Sequence, residues 1–288
     1  MRIVQISDFH FARPTWNPLR LFSKRLLGHC NWLFSRTHAF SEEILSTLPS
    51  LFKELNVDWV LLGGDFTTTA LESEFEAAKN FVDQLPCPWL AIPGNHDVYT
   101  YASERKKTFY RFLENKGPKS ERLGGFSLSE DRVEARRLDE SYWILLIDVC
   151  RATNLYSSRG LFSETMEKKL KDVLPLIPSE DSIIVSCHYP FFGHDAYRRS
   201  LKRRECLQSI LASDPRIRLF LHGHTHRHTI ADLQPSSLPV LLDSGSSAQK
   251  KDASWNLIDL KPNGAFVTAY RYEESWKPFL MRDIEWKR

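Results

Sequence analysis

Along the chain, apolar residues gather in short blocks that end abruptly in polar ones. Residues 2–7 (RIVQIS) run into Asp8-Phe9-His10, and 58–63 (DWVLLG) into Gly64-Asp65. Residues 88–93 (PWLAIP) stop at Gly94-Asn95-His96-Asp97, 182–186 (SIIVS) at Cys187-His188, and 217–221 (IRLFL) at His222-Gly223-His224-Thr225-His226. Continuous apolar runs of this length, without alternation, predict strands buried on both faces. Between them, 41–55, 72–85 and 163–174 carry helical patterns, the first with Ser41 as N-cap and Glu42 and Glu43 in its first turn. This alternation predicts an α/β sheet covered by helices. The tail differs, because 254–273 holds two strand-like runs around Asn263-Gly264, a hairpin signal.

Composition narrows the class. At 288 residues, 42% hydrophobic and 26% charged, the chain can bury a real core and is not disordered. No apolar run is long enough to span a bilayer, and the first ten residues read as a strand rather than a secretory leader. Five scattered cysteines without a C-x-x-C pair argue against a disulfide framework or a zinc knuckle, and fit a reducing cytoplasm. With no internal repeat and no linker, residues 1–288 read as one domain. A net charge of +3 commits the protein to no partner.

The strand ends carry the chemistry. In open α/β sheets, ligands bind beyond the carboxyl ends of the strands. Here those ends deliver Asp8, His10, Asp65, Asn95, His96, His188, His224 and His226. Carboxylate, amide and imidazole donors without thiolate suit Mn, Fe, Zn, Co or Mg. The donors are too many for one ion, so a pair of divalent ions about 3.5–4 Å apart with a shared carboxylate is expected. Such a pair acidifies a bridging water and clamps a phosphate for in-line attack. Any one of these motifs alone is a surface turn or a core histidine; five in the same position after five strands are not.

The set Asp8-x-His10, Gly64-Asp65, Gly94-Asn95-His96-Asp97, His188 and Gly223-His224-Thr225-His226 resembles the calcineurin-like metallophosphoesterase family, over residues 1 to about 247. The resemblance implies a two-sheet β-sandwich flanked by helices, with the metal site at the C-terminal ends of the strands. It implies that Asp8, His10 and His226 hold one ion, that Asn95, His188 and His224 hold the second, and that Asp65 bridges. His96 would touch the phosphate and protonate the leaving oxygen, oriented by Asp97.

Substrate clues lie elsewhere. Residues 11–40 contain no acid but carry Arg13, Arg20, Lys24, Arg25 and Arg36 among Trp16, Phe22, Trp32 and Phe34. From Asn17-Pro18 onward, Leu19, Phe22, Leu26, Cys30 and Leu33 form one helical stripe with the cations off it, the pattern of a basic membrane-surface helix. A basic cap segment at about 191–206 carries Arg198, Arg199, Lys202, Arg203 and Arg204, and a third basic stretch covers 103–112. Acyl chains fit this greasy, cationic mouth better than nucleic acid does. Within the family the combination is similar to the enzymes of lipid A synthesis that cleave UDP-2,3-diacylglucosamine to UMP and the lipid monophosphate at the inner face of the cytoplasmic membrane. The better-known branch of those enzymes has Arg where this chain has His96. The expectation is therefore a manganese-dependent hydrolase, peripheral on an anionic membrane, acting on a lipid-linked nucleotide. A cyclic-nucleotide phosphodiesterase and a non-catalytic scaffold are the alternatives.

Overall fold

A computed structural model describes residues 1–13, 15, 24–26, 39–115, 122–193 and 196–287. In chain order its strands are β1 (Arg2–Ile6), β2 (Trp59–Leu62), β3 (Trp89–Ala91), β4 (Val133–Arg137), β5 (Tyr142–Ile147), β6 (Ser182–Cys187), β7 (Ile217–His222), β8 (His228–Ala231), β9 (Val240–Ser244), β10 (Ser254–Lys261), β11 (Gly264–Glu273) and β12 (Ser275–Glu285). They form two six-stranded sheets, ordered β12-β11-β10-β1-β2-β3 and β4-β5-β6-β7-β9-β8. β1, β2 and β3 are parallel, as are β5, β6, β7 and β9; antiparallel strands close both sheets.

Side chains on successive residues of a strand point to opposite faces, and here both faces are covered. Ile3, Leu61 and Ile258 meet Ile144, Leu146, Ile184, Leu219 and Leu242 between the sheets. Their neighbours Val4, Ile6, Val60 and Leu62 pack outward onto Leu48, Phe52, Phe75 and Phe81. Leu145, Val185 and Phe220 pack outward from the second sheet onto Met166, Leu170, Leu207 and Leu211. The result is helix, sheet, sheet, helix, the sandwich that the resemblance implies. Each such side chain contributes about 1.5–3 kcal/mol on burial, which is why the strand sequences are apolar without a break.

Two elements differ from the sequence reading. The helix expected over 41–55 is two, Glu42–Ser46 and Leu48–Glu54. Pro49 is the reason: it has no N–H for the bond back to Leu45, so it starts a new first turn. The hairpin closes with Lys261 opposite Gly264, but the chain then continues into β12, an unforeseen third strand. Among the described residues no helix is long and apolar enough to cross a membrane.

The C-terminal ends of β1, β2 and β3 meet those of β6 and β7 at one edge of the sandwich. Gln5 Nε2 crosses between the sheets to His222 O (2.9 Å) and Leu242 O (3.1 Å). Asp8 N donates to Gly64 O (2.9 Å), and Gly223 N donates to His188 O (3.1 Å). Backbone thus fixes the end of β1 to that of β2 and the end of β6 to that of β7, and the Gln5 side chain links the two sheets.

Candidate metal centre

Asp8, His10, Asp65 and His226 each place one donor atom within 4.8 Å of the others. His10 Nε2 lies 3.1 Å from His226 Nε2 and 3.8 Å from Asp65 Oδ2, and His226 Nε2 lies 3.2 Å from Asp8 Oδ1. On the other side of Asp65, His188 Nε2 stands 3.5 Å from the same Oδ2. His224 Nδ1 sits 2.8 Å from Asn95 Oδ1, with its ring 5.2 Å from that of His188. Two donor groups thus flank one carboxylate.

The backbone is bent to achieve this. Asp8, His10, Asp65, His224 and His226 all have φ between 52° and 69°, the left-handed region that side chains avoid. Gly64 lies at φ 99°, and a Cβ there would come within 2.6 Å of Gly94 N. A Cβ on Gly94 would come within 2.1 Å of Asp65 Oδ1, so the turn after β3 must be bare for the carboxylate to fit.

Surrounding groups hold the donors but leave lone pairs over. Asp8 Oδ2 accepts from Ser7 Oγ (2.6 Å) and His224 N (3.1 Å), whereas buried Oδ1 faces His226 Nε2 at 3.2 Å. His188 Nδ1 donates to Gly63 O (2.8 Å), since a carbonyl can only accept. In the neutral ring, the form that would bind an ion, Nε2 then carries the lone pair; without an ion a proton takes that place, 3.5 Å from Asp65 Oδ2. Lone pairs facing lone pairs repel unless a proton or a metal cation lies between them. Burial opposes charge on both His188 and Asp65, but their mutual attraction wins: Asp65 and Asp8 lift the His188 imidazole to about 9, and His188, His96 and His10 hold the Asp65 carboxyl well below its usual range. Burial and the nearby His188 push His224 down to about 3. The cluster therefore demands positive charge at its centre, and its donors fit a divalent ion on either side of Asp65.

His96 N donates to Asp65 Oδ1 (2.7 Å), and its ring donates from Nδ1 to Thr68 O (2.7 Å) while stacking on Tyr99 at 5.5 Å. Asp97, expected to orient this ring, is engaged otherwise. Its oxygens accept from Gly94 N, Phe66 N, Thr67 N and Thr67 Oγ1 at 2.8–3.2 Å, which ties the turn after β3 to the loop after β2. The hydrogen bond at the ring comes from a backbone carbonyl.

A cavity of about 580 Å³ opens over Asp65, Asn95, His96, His224 and His226. Its walls include Lys24, Tyr99, Tyr156, Arg198, Arg199 and Arg227. Lys24 Nζ donates to Thr153 Oγ1 and Ser157 O (both 3.0 Å) and sits 4.8 Å above the Tyr99 ring. Arg25 turns inward, to Thr69 O and Ala70 O, while Leu26 is 49% exposed. Lys202 and Arg203 do not line the cavity; Arg203 pairs with Glu164 (3.1 Å) and Glu167 (2.5 Å). Arg20, Phe22, Trp32 and Leu33 lie outside the described residues.

Sequence reasoning missed Asp243. This buried carboxylate on β9 accepts from Thr225 Oγ1 (2.5 Å) and Gly245 N (2.8 Å), pinning the turn that presents His224 and His226. The signal was present, because residues 240–243 (VLLD) are one more apolar run ending in an acid.

Comparison with known proteins agrees with this geometry. The calcineurin-like phosphoesterase family matches residues 1–228. A probable cyclic nucleotide phosphodiesterase from Synechococcus is 23% identical over 224 residues, spanning 74% of this chain and 76% of the relative. A dimetal phosphatase from Danio rerio superposes with a TM-score of 0.73 at 15% identity, covering 99% of both chains. A purple acid phosphatase from yellow lupin gives 0.62 at 10% identity, covering 99% of this chain and 53% of that one. At such identities the structural likeness is one of fold.

Proposed function

The chain belongs to the calcineurin-like phosphoesterase family and is a metal-dependent hydrolase; from that premise we propose that it cleaves a nucleotide-type phosphodiester at a pair of divalent ions. In this reading Asp8, His10 and His226 hold one ion, Asn95, His188 and His224 the other, and Asp65 both. Bound there, the ions supply an activated water and neutralise the phosphate. His96, fixed at Nδ1 by Thr68 O and lining the cavity, gives its Nε2 proton to the leaving oxygen. The observation that carries the proposal is that the buried atoms Asp8 Oδ1 and His188 Nε2 are aimed at the other donors of one cluster, Oδ1 at His226 Nε2 (3.2 Å) and Nε2 at Asp65 Oδ2 (3.5 Å). Manganese is the first ion to test.

The mouth supports a nucleotide. Arg198, Arg199, Arg227 and Lys24 offer charge to phosphate, and Tyr99 and Tyr156 offer ring faces to a base. The relative from Synechococcus is named a probable cyclic nucleotide phosphodiesterase, which points the same way. A second reading is the pyrophosphate of UDP-2,3-diacylglucosamine, taken from the cytoplasmic face of a membrane. Exposed Leu26, Leu155 and Tyr156 favour it. The inward bonds of Arg25 weigh against it, because a cation committed to the Thr69 and Ala70 carbonyls does not greet lipid head groups.

A substrate panel with Mn decides between the readings: bis(p-nitrophenyl) phosphate, cyclic AMP and UDP-2,3-diacylglucosamine, each with and without anionic vesicles. Hydrolysis of cyclic AMP unaffected by vesicles is expected. Preference for the diacylated nucleotide, raised by vesicles, would establish the second reading. Hydrolysis of none of the three would overturn both.

A further inference from the structure

We infer that Glu74 is a positioning residue for the leaving-group proton: its carboxylate shapes the loop after β2 so that the Thr68 carbonyl holds the His96 ring. The inference rests on His96 acting as the acid.

Glu74 sits in the first turn of helix Glu72–Val82 and is only 2% exposed. Burying a carboxylate is costly unless its oxygens are well used. One of its bonds, from Leu71 N (3.0 Å), caps the helix. Arg13 N donates to the carboxylate from the strand-end loop after β1 (3.5 Å), and the rest serve the loop after β2: Thr69 N donates at 2.9 Å and Thr69 Oγ1 at 3.2 Å. From the opposite side Arg25 takes the loop's carbonyls, with Nε on Thr69 O (3.0 Å) and Nη2 on Ala70 O (2.9 Å). Ala70 is left at φ 56°, a conformation that alanine adopts only where its surroundings impose it. Thr68 N donates to Phe11 O and Thr68 Oγ1 to His10 O, both at 3.0 Å. The peptide group that remains, Thr68 C=O, has its direction set from both sides, and it points at His96 Nδ1.

The consequence is chemical. A carbonyl accepts and never donates, so Nδ1 keeps its proton and Nε2 exchanges the other one. As the P–O bond breaks, the Nε2 proton moves to the departing oxygen, and the ring recovers it from solvent. A loosened loop lets the ring turn and costs only this step. Thr69 N and Leu71 N both donate to Oε2, so glutamine at 74 can still serve them with its one oxygen, whereas leucine keeps the bulk and takes the acceptor away from both.

The test uses two substrates on full-length, metal-loaded protein. Bis(p-nitrophenyl) phosphate releases an activated phenolate that leaves without a proton; diphenyl phosphate releases phenolate, with a pKa near the tyrosine value of about 10, which needs one. His96→Ala should lower kcat on diphenyl phosphate far more than on the nitrophenyl ester. Glu74→Leu should show the same bias, losing about tenfold in kcat on diphenyl phosphate, a fraction of the 10²–10⁴ that a full acid supplies, with KM and metal content unchanged. In the His96→Ala background, Glu74→Leu should cost nothing further. Equal losses on the two esters, or a full additional loss in the His96→Ala background, would overturn the inference. If Glu74→Leu does not fold, Arg25→Ala decides by the same bias, an equal loss on both esters again being contrary. If His96→Ala itself shows no bias, His96 is not the acid and the inference falls with that reading.

Discussion

Asp8, His10, Asp65, His224 and His226 account for five of the thirteen non-glycine residues with positive φ among those described. Strain concentrated on the donors of one cluster is what function asks of a backbone and stability does not. His96, outside the donor set, should behave differently from them. His96→Ala is expected to lower kcat by about 10²–10⁴ on substrates with poor leaving groups, while metal analysis still finds two equivalents. A fall in metal content would make His96 a ligand. Lys24 is the residue with a pH signature. Burial pulls its ammonium from the ordinary value down to about 8. The shift is downward, so the charge is present below that pH and lost as pH rises through it. KM for an anionic diester should therefore climb between pH 7 and 9, by up to about tenfold one unit above the midpoint. Lys24→Arg stays charged, and the ratio of KM for the two proteins isolates this rise from any titration at the metals.

At the scale of elements, strand ends govern the site. Gly94→Ala should displace the Asp65 carboxylate, since the added Cβ would lie 2.1 Å from Oδ1. Metal binding and activity are expected to fail together, while circular dichroism still shows the sandwich. The same scale explains what was legible in the sequence. Runs that are apolar throughout can end in Asp, Asn or His only where the buried layer stops, so the five strand ends and their donors could be read directly. β5 and β9 carry the same mark, in residues 142–148 (YWILLID) and 240–243 (VLLD), and Asp243 could have been found by it. Other features leave no such mark. The hold on His96 comes from a backbone carbonyl, which every residue has, and its direction depends on Glu74 and Arg25 closing on the loop from two sides. The role expected of Asp97 failed for the same reason: backbone N–H groups from two turns claimed a carboxylate that sequence could pair only with its neighbour. The inward turn of Lys24 and Arg25 likewise depends on acceptors at Thr69, Ala70, Thr153 and Ser157, far along the chain.

For the whole molecule, the two sheets meet at this cluster. Asp8, Asp65 and Asn95 follow strands of the first sheet; His188, His224 and His226 follow strands of the second. Ions held by both should act as a staple across the sandwich. A ligand at a hundred times its Kd stabilises the folded state by about 2.7 kcal/mol, and in a protein of this size each kcal/mol moves Tm by roughly 2–4 °C. Chelation is therefore expected to lower Tm by about 5–10 °C in scanning calorimetry, and added Mn to restore it. The most direct measurement is a metal titration of stripped protein, with activity on bis(p-nitrophenyl) phosphate and bound metal followed together. Activity should be absent without metal and reach its plateau at two equivalents of Mn per chain, and Asp65→Ala should be inactive at any Mn concentration. Full activity in the stripped protein, a plateau at one equivalent, or an active Asp65→Ala would contradict a dinuclear centre built on Asp65.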